Sequence, residues 1–178
     1  MTPADVIGFW MRAGEKLWFA RNAEFDADIR DRFEDIHLDA ARGELDYWED
    51  SADGALALLL LLDQFPRNMF RGAAHAFATD PLARRVADHA IARGFDRVVD
   101  EKLRYFFYLP FEHSEDAADQ ARAVELCEGM GDPEHTKWAL LHADIITRFG
   151  RFPHRNACLG RTTTPAEAAF LESGGFAG

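Results

Sequence analysis

Residues 132–150 read D-P-E-H-T-K-W-A-L-L-H-A-D-I-I-T-R-F-G, and they decide the fold class. Asp132 offers a side-chain oxygen to the amides of a helix start, Pro133 stands where a missing N–H costs nothing, and Gly150 supplies the stop. Between them Trp138, Leu141, Ile145 and Phe149 recur at three- and four-residue intervals, the period of one helix face. Upstream, Phe25, Ile29, Phe33, Ile36 and Ala40 repeat the pattern, with Gly43 as the stop. Further starts are legible at Asp80-Pro81, in a segment closing near Gly94, at Ser114 before Glu115 and Asp116, and at the capping-box spacing of Thr164 and Glu167. The Leu-rich stretch from Ser51 to Phe65 is predicted to end at Pro66, which lacks an amide donor. Nothing alternates like a strand. The expectation is an all-α chain of about eight helices packed as antiparallel hairpins, a single domain over 1–178 whose tail after Leu171 is frayed.

A chain of 178 residues, 48% hydrophobic, fills one core without disulfides or metal. Fifteen Phe against three Tyr predict an aromatic interior, and Trp10, Trp18, Trp48 and Trp138 are assigned to it. A net charge of -11 repels a phosphate backbone and an anionic lipid surface alike, so nucleic acid and membrane are excluded as general partners. The longest apolar run, Ala55 to Leu62, falls well short of the roughly 20 residues that span a bilayer. The N-terminus M-T-P-A-D-V-I-G-F-W lacks the basic region of an export signal, and two cysteines without metal spacing fit a reducing compartment, so a cytoplasmic location is expected.

Three ordered motifs stand out: D-Q-F-P-R-N at 63–68, F-Y-L-P-F-E-H-S-E at 107–115 and G-R-F-P-H-R-N at 150–156. With V-I-G-F-W at 6–10, they resemble the bacterial family catalogued as domain of unknown function 924, over nearly the whole chain. The resemblance implies a helical fold like that of tetratricopeptide repeats and no nameable activity. It supplies no catalytic residues, and the repeat family's own Trp, Gly and Pro signature is absent. A peptide-binding role would therefore be inherited by analogy alone. A short internal echo, F-P-R-N-M-F-R-G at 65–72 and F-P-H-R-N-A-C-L-G at 152–160, is too brief for a repeat; a shared helix-ending device explains it equally.

The charge reverses locally between Asp144 and Glu167, where Arg148, Arg151, Arg155, Arg161 and His154 occur without an acid. Guanidinium forks around a loop make a carboxylate or phosphate receptor, and Arg67 and Arg71 of the echoing segment belong to it if the two helix ends meet. The competing reading pairs these arginines internally with Glu112, Glu115, Asp116 or Asp63 and with helix-end carbonyls. After the aromatic run, Glu112, His113 and Ser114 offer titratable groups beside apolar walls. His113 or His154 would exchange protons there, with Glu112 or Asp63 as orienting carboxylate, unless Ser114 simply caps a helix.

No metal and no cofactor is expected: His135 and His142 stand seven apart, and no H-E-x-x-H occurs. Phosphate-loop, dinucleotide and nucleophile-elbow motifs are likewise absent. Cys158 has basic neighbours but reads first as a packed thiol, and the acidic face of 26–39 as solvated surface. The leading function is then a helical-array binding module receiving an acidic peptide or protein, or a small anionic ligand, at Arg67, Arg71, Arg151, His154 and Arg155. The runner-up is an enzyme acting on a small anionic substrate, and a third reading makes every motif structural. Oligomeric state is left open.

Overall fold

Every regular element among the described residues is helical, and the computed structural model describes residues 1–176. The chain folds as two compact units, Met1–Arg71 with His75–Pro110, and Gly72–Ala74 with the chain from Phe111 onward. No helix among the described residues is long and apolar enough to cross a membrane.

The first unit begins with α1 (Pro3–Ala13), whose start is a capping box between Thr2 and Asp5. After the short α2 (Glu15–Trp18) comes α3 (Ala23–Ala41), capped by Asn22. Ile29, Phe33, Ile36 and Ala40 are buried on α3, as its period predicts, and His37 is buried with them. Trp10, Trp18, Phe65 and Phe106 meet in a ring cluster, with Trp10 and Trp18 stacked at 5.8 Å and Trp10 edge-on to Phe106 at 5.7 Å. These large rings remove much apolar area from water and form the centre of this unit. Then α4 (Ala52–Leu59) is buried from Gly54 to Leu59 and packs against α1 and against α6 (Asp80–Ala92).

The helix does not stop at Pro66. Residues Leu60–Gln64 widen into a π turn, the Phe65 amide donates to the Leu60 carbonyl, and α5 (Phe65–Met69) runs on through the proline. An N–H at position 66 would serve the carbonyl four or five residues upstream, Leu62 or Leu61. Proline supplies none. Instead the Thr79 hydroxyl donates to Leu62 O at 2.6 Å, and His37 Nδ1 meets Leu61 O at 2.8 Å. Two side chains thus replace the missing donor, and the expected helix end becomes a distortion inside a continuing helix. Farther on, Glu101–Phe107 is 3-10 rather than α-helical.

The chain passes into the second unit within α7 (Leu109–Glu112). There α8 (Ala117–Met130) and α9 (Pro133–Phe149) pack as a hairpin around Gly131, and α10 (Pro165–Glu172) lies against the 3-10 turn Pro153–Arg155. The caps of α9 and α10 are as read: Asp132 accepts from the amides of Glu134 and His135, and Thr164 forms its box with Glu167. The cap of α8 is Asp116 rather than Ser114, whose hydroxyl instead donates to Asp119 at 2.6 Å.

The inner face of α9 also differs from its hydrophobic period. Ala139, His142, Ile145 and Ile146 are buried, whereas Trp138 and Leu141 are 39% and 38% exposed. Trp138 is therefore not a core residue of this chain. Ala139 and His142, the latter paired with Glu112, lie on the inside with Ile145 and Ile146. The expected fraying after Leu171 includes residues 177–178, which lie outside the described residues. Within the described part, α10 ends at Glu172 and Phe176 packs onto the Ile145, Ile146 and Phe152 cluster.

Candidate functional site

The arginines singled out above fall into two groups, one in each unit. In the first, Arg67 forks onto both oxygens of Asp80 at 3.0 Å, lies 3.1 Å from Asp63 Oδ1 and donates to Asp63 O at 2.6 Å. Burial works against its charge, but Asp63 and Asp80 outweigh that and hold its pKa above the ordinary value. Arg71 is bidentate to Asp26, which also accepts from Asn68 at 2.8 Å. The D-Q-F-P-R-N motif thus closes an internal network around the π turn, and its Asp63 is a partner of Arg67.

In the second unit, G-R-F-P-H-R-N is pinned at both ends by carboxylates. Arg151 is bidentate to Glu167 at 2.6 and 2.9 Å and donates to Thr162 O. That fork, with the Thr164 amide, holds the Glu167 carboxyl far below the usual range. Arg161 is bidentate to Glu115 at 2.7 and 2.9 Å and also donates to Phe152 O at 3.2 Å. Glu115 accepts the Phe152 amide at 2.8 Å as well. Burial would raise its pKa, but Arg161 and this amide bring it below the usual value.

Between these pins lies a polar cluster with aromatic walls. Buried Gln120 donates to the carbonyls of Glu112 and Ser114, each at 2.7 Å, and so fixes the E-H-S segment. Glu112 and His142 are 1% and 6% exposed, and His142 Nδ1 lies 3.0 Å from Glu112 Oε1 and 2.8 Å from Trp138 O. The His113 ring sits 6.4 Å from that of His142. Arg155 donates to His113 O at 2.9 Å and stacks 4.5 Å over Phe152. Phe152, in turn, lies 5.5 Å from His142 and 5.6 Å from His154. His113, His154, Glu112 and Arg155 therefore meet in one neighbourhood, with Arg151 at its edge.

His154 is half-buried, and its Nδ1 is a buried atom without a hydrogen-bond partner among the described residues. Burial, then the charges of Arg155 and His142, push its pKa down to about 3. It is neutral at physiological pH, a hydrogen-bonding group rather than a cation. A proton shuttle works best with a pKa near the working pH, so this imidazole suits recognition better than acid–base transfer.

Sequence reasoning leaves His142, Gln120, Cys127 and Phe176 out of the site. Cys127 is fully buried, and burial followed by the charges of Glu112 and Asp132 pushes its thiol up to about 12. The signal for His142 is available in the sequence: it stands three residues before Ile145 and three after Ala139, on the face where α9 is buried. Among the described residues no group of three or more His, Cys, Asp or Glu side chains is placed to hold a metal ion.

Comparison with curated proteins finds no match. Among solved structures, "Structure of Protein of Unknown Function ATU0120 from Agrobacterium tumefaciens" is similar, at 55% identity and a TM-score of 0.93, over 96% of this chain and 97% of that one. The family described as "Bacterial protein of unknown function (DUF924)" matches residues 6–175, a span that takes in all three motifs and every residue of the histidine cluster. The chain belongs to this family of bacterial proteins.

Proposed function

We propose that the chain is a helical-array binding protein whose receptor is the histidine–arginine loop of the second unit, and that it takes an acidic peptide or a small anionic ligand there. The observation that carries this reading is His154: a neutral imidazole, its Nδ1 uncommitted among the described residues, next to the Arg155 guanidinium and against Phe152. Buried polar atoms nearly always find a partner, and a ligand oxygen would supply one. Arg67, Arg71 and Arg151 are candidates for the same role by sequence. Each would have to exchange a bidentate carboxylate within the chain for a ligand, so Arg151 serves the receptor by fixing its frame, while Arg67 and Arg71 brace the first unit. The proposal includes a reducing, cytoplasmic setting, supported by Cys127 and Cys158 being free thiols.

The test is calorimetric titration with small di- and tricarboxylates and with acidic peptides. Binding should weaken about tenfold or more in both His154→Ala and Arg155→Lys, a loss of roughly 1.4 kcal/mol each. Equal affinity in wild type and His154→Ala refutes the reading. A second reading, an acid–base enzyme for a small anionic substrate, is favoured by the buried Glu112–His142 pair with His113 beside it. It requires turnover that His142→Asn abolishes while ligand affinity is retained.

A further inference from the structure

The histidine cluster carries a cover drawn from the chain's own C-terminal segment. After α10, the Ser173 hydroxyl and the Gly175 amide both donate to Phe170 O, at 2.9 and 3.0 Å, and Gly174 turns the backbone at φ 83°. That left-handed turn is open to glycine at little cost. It throws Phe176 across two imidazoles, with ring centroids 4.6 Å from His142 and 5.2 Å from His154, at interplanar angles of 65° and 84°. Trp138 closes the outer side at 6.4 Å. Phe176 is itself only half-buried, and the segment carrying it is short, exposed and rich in glycine. An aromatic ring thus lies edge-to-face on two histidines, beside the His154 imidazole whose Nδ1 has no partner among the described residues.

We propose that Phe176 holds the place of a ligand's aromatic ring, and that the receptor accepts an aromatic carboxylate once the Gly174-Gly175 turn carries Phe176 aside. The ligand ring takes the position between His142 and His154. Its carboxylate accepts from the Nδ1–H tautomer of His154 and faces the Arg155 guanidinium. This rests on the anion-receptor reading above and narrows it to one ligand chemistry, found both in a small arylalkyl acid and in a peptide with Phe beside Asp or Glu.

The experiment has two arms on the full chain. In the first, diethyl pyrocarbonate acylation of His154 is followed by peptide mass spectrometry in wild type and in Phe176→Ala. Removing the cover should raise the His154 rate by about tenfold or more, since a neutral imidazole reacts as soon as it is reached. An unchanged rate overturns the cover. So does loss of the helical signal in Phe176→Ala, because a side chain required for folding is not displaceable.

In the second arm, hydrocinnamate, propionate and the peptide acetyl-Asp-Phe-amide are titrated into both proteins. The proposal expects hydrocinnamate to bind Phe176→Ala about tenfold more tightly than wild type, with propionate at least tenfold weaker. A tighter peptide than hydrocinnamate identifies a peptide source, and the reverse order a free acid. Equal binding of hydrocinnamate and propionate overturns the aromatic ligand while leaving the anion receptor standing. If no anion binds either protein while acylation still accelerates, the receptor reading fails and the ligand assignment fails with it.

Discussion

The replacement of a missing backbone donor at Pro66 gives a measurable stability. Thr79 is 5% exposed, and its hydroxyl donates to the buried Leu62 carbonyl at 2.6 Å. Thr79→Val preserves the volume and branching of the side chain and removes this donor. The buried carbonyl then loses this donor, with no N–H available from position 66. A buried acceptor stripped of its donor costs about 1–3 kcal/mol, so a loss near ~2 kcal/mol is expected. In a chain of this size that lowers the melting midpoint by roughly 4–8 °C. Thr79→Ser keeps the hydroxyl and loses only a methyl group, worth about 0.8 kcal/mol. Urea unfolding followed by circular dichroism should therefore rank Thr79→Val as the costlier of the two. The reasoning is refuted if Thr79→Val lies within about 0.5 kcal/mol of wild type, or if Thr79→Ser costs as much.

Three further outcomes follow from the geometry. A Cβ at Gly54 would stand 2.0 Å from the Trp48 carbonyl oxygen, so Gly54→Ala must displace the backbone; expression with a strongly reduced midpoint, or no soluble protein, is expected, and a midpoint within two or three degrees of wild type contradicts it. His154 titrates near 6.5 when unfolded and is pushed down to about 3 when folded. Between those values the unfolded state holds the extra proton, so stability falls as the pH is lowered from 6.5 towards 3. Chemical denaturation at several pH values should find this slope smaller by about one proton, ~1.4 kcal/mol per pH unit, in His154→Gln. Finally, Cys127 is fully buried with its thiol pushed up to about 12, whereas Cys158 is half-buried. Ellman's reagent should modify Cys158 alone in the native protein, with Cys158→Ala silent until unfolding; two fast thiols in native protein would show the α8–α9 hairpin to be open.

What the sequence disclosed was local. The caps at Asp132 and Thr164 and the buried face of α3 are set by residues three or four apart, and they are found where the spacing puts them. The π turn was hidden because its cause is non-local: Pro66 is tolerated inside a helix through Thr79 and through His37, which are distant in sequence. The same limit applies to the arginines. Asp63 and Glu115 could be named as partners in advance, but Asp80, Asp26 and Glu167, which take the bidentate bonds of Arg67, Arg71 and Arg151, become visible only once helices are packed. On α9 the large apolar residues mislead, since Ala139 and His142 mark the buried side and Trp138 lies outward. His142 shares the spacing of Ala139 and Ile145, but Trp138 and Leu141 draw the reading to the neighbouring face.

The echo between F-P-R-N and F-P-H-R-N sets a closed network in one unit against the loop proposed as the receptor in the other. In both, the Phe is fully buried and the Asn is nearly so, at 3% for Asn68 and 0% for Asn156. The arginine is where they part. Arg67 is held by two buried carboxylates inside a helix, a closed network in which a ligand would have to displace Asp80. Arg155 sits at the end of a 3-10 turn, donates to the His113 carbonyl and lies on an aromatic face. A guanidinium stacked on a ring keeps its plane in apolar contact while its N–H edge stays directed along the loop, a geometry suited to holding a carboxylate beside a hydrophobic group. The extra residue in the second motif is His154, which separates proline from arginine and stands in the same aromatic neighbourhood. With that residue the second motif places a neutral imidazole, a guanidinium and apolar walls together. A deletion of His154 that restores F-P-R-N in the second unit should therefore keep the helical signal and abolish anion binding; retained binding would show that the site does not depend on the inserted residue.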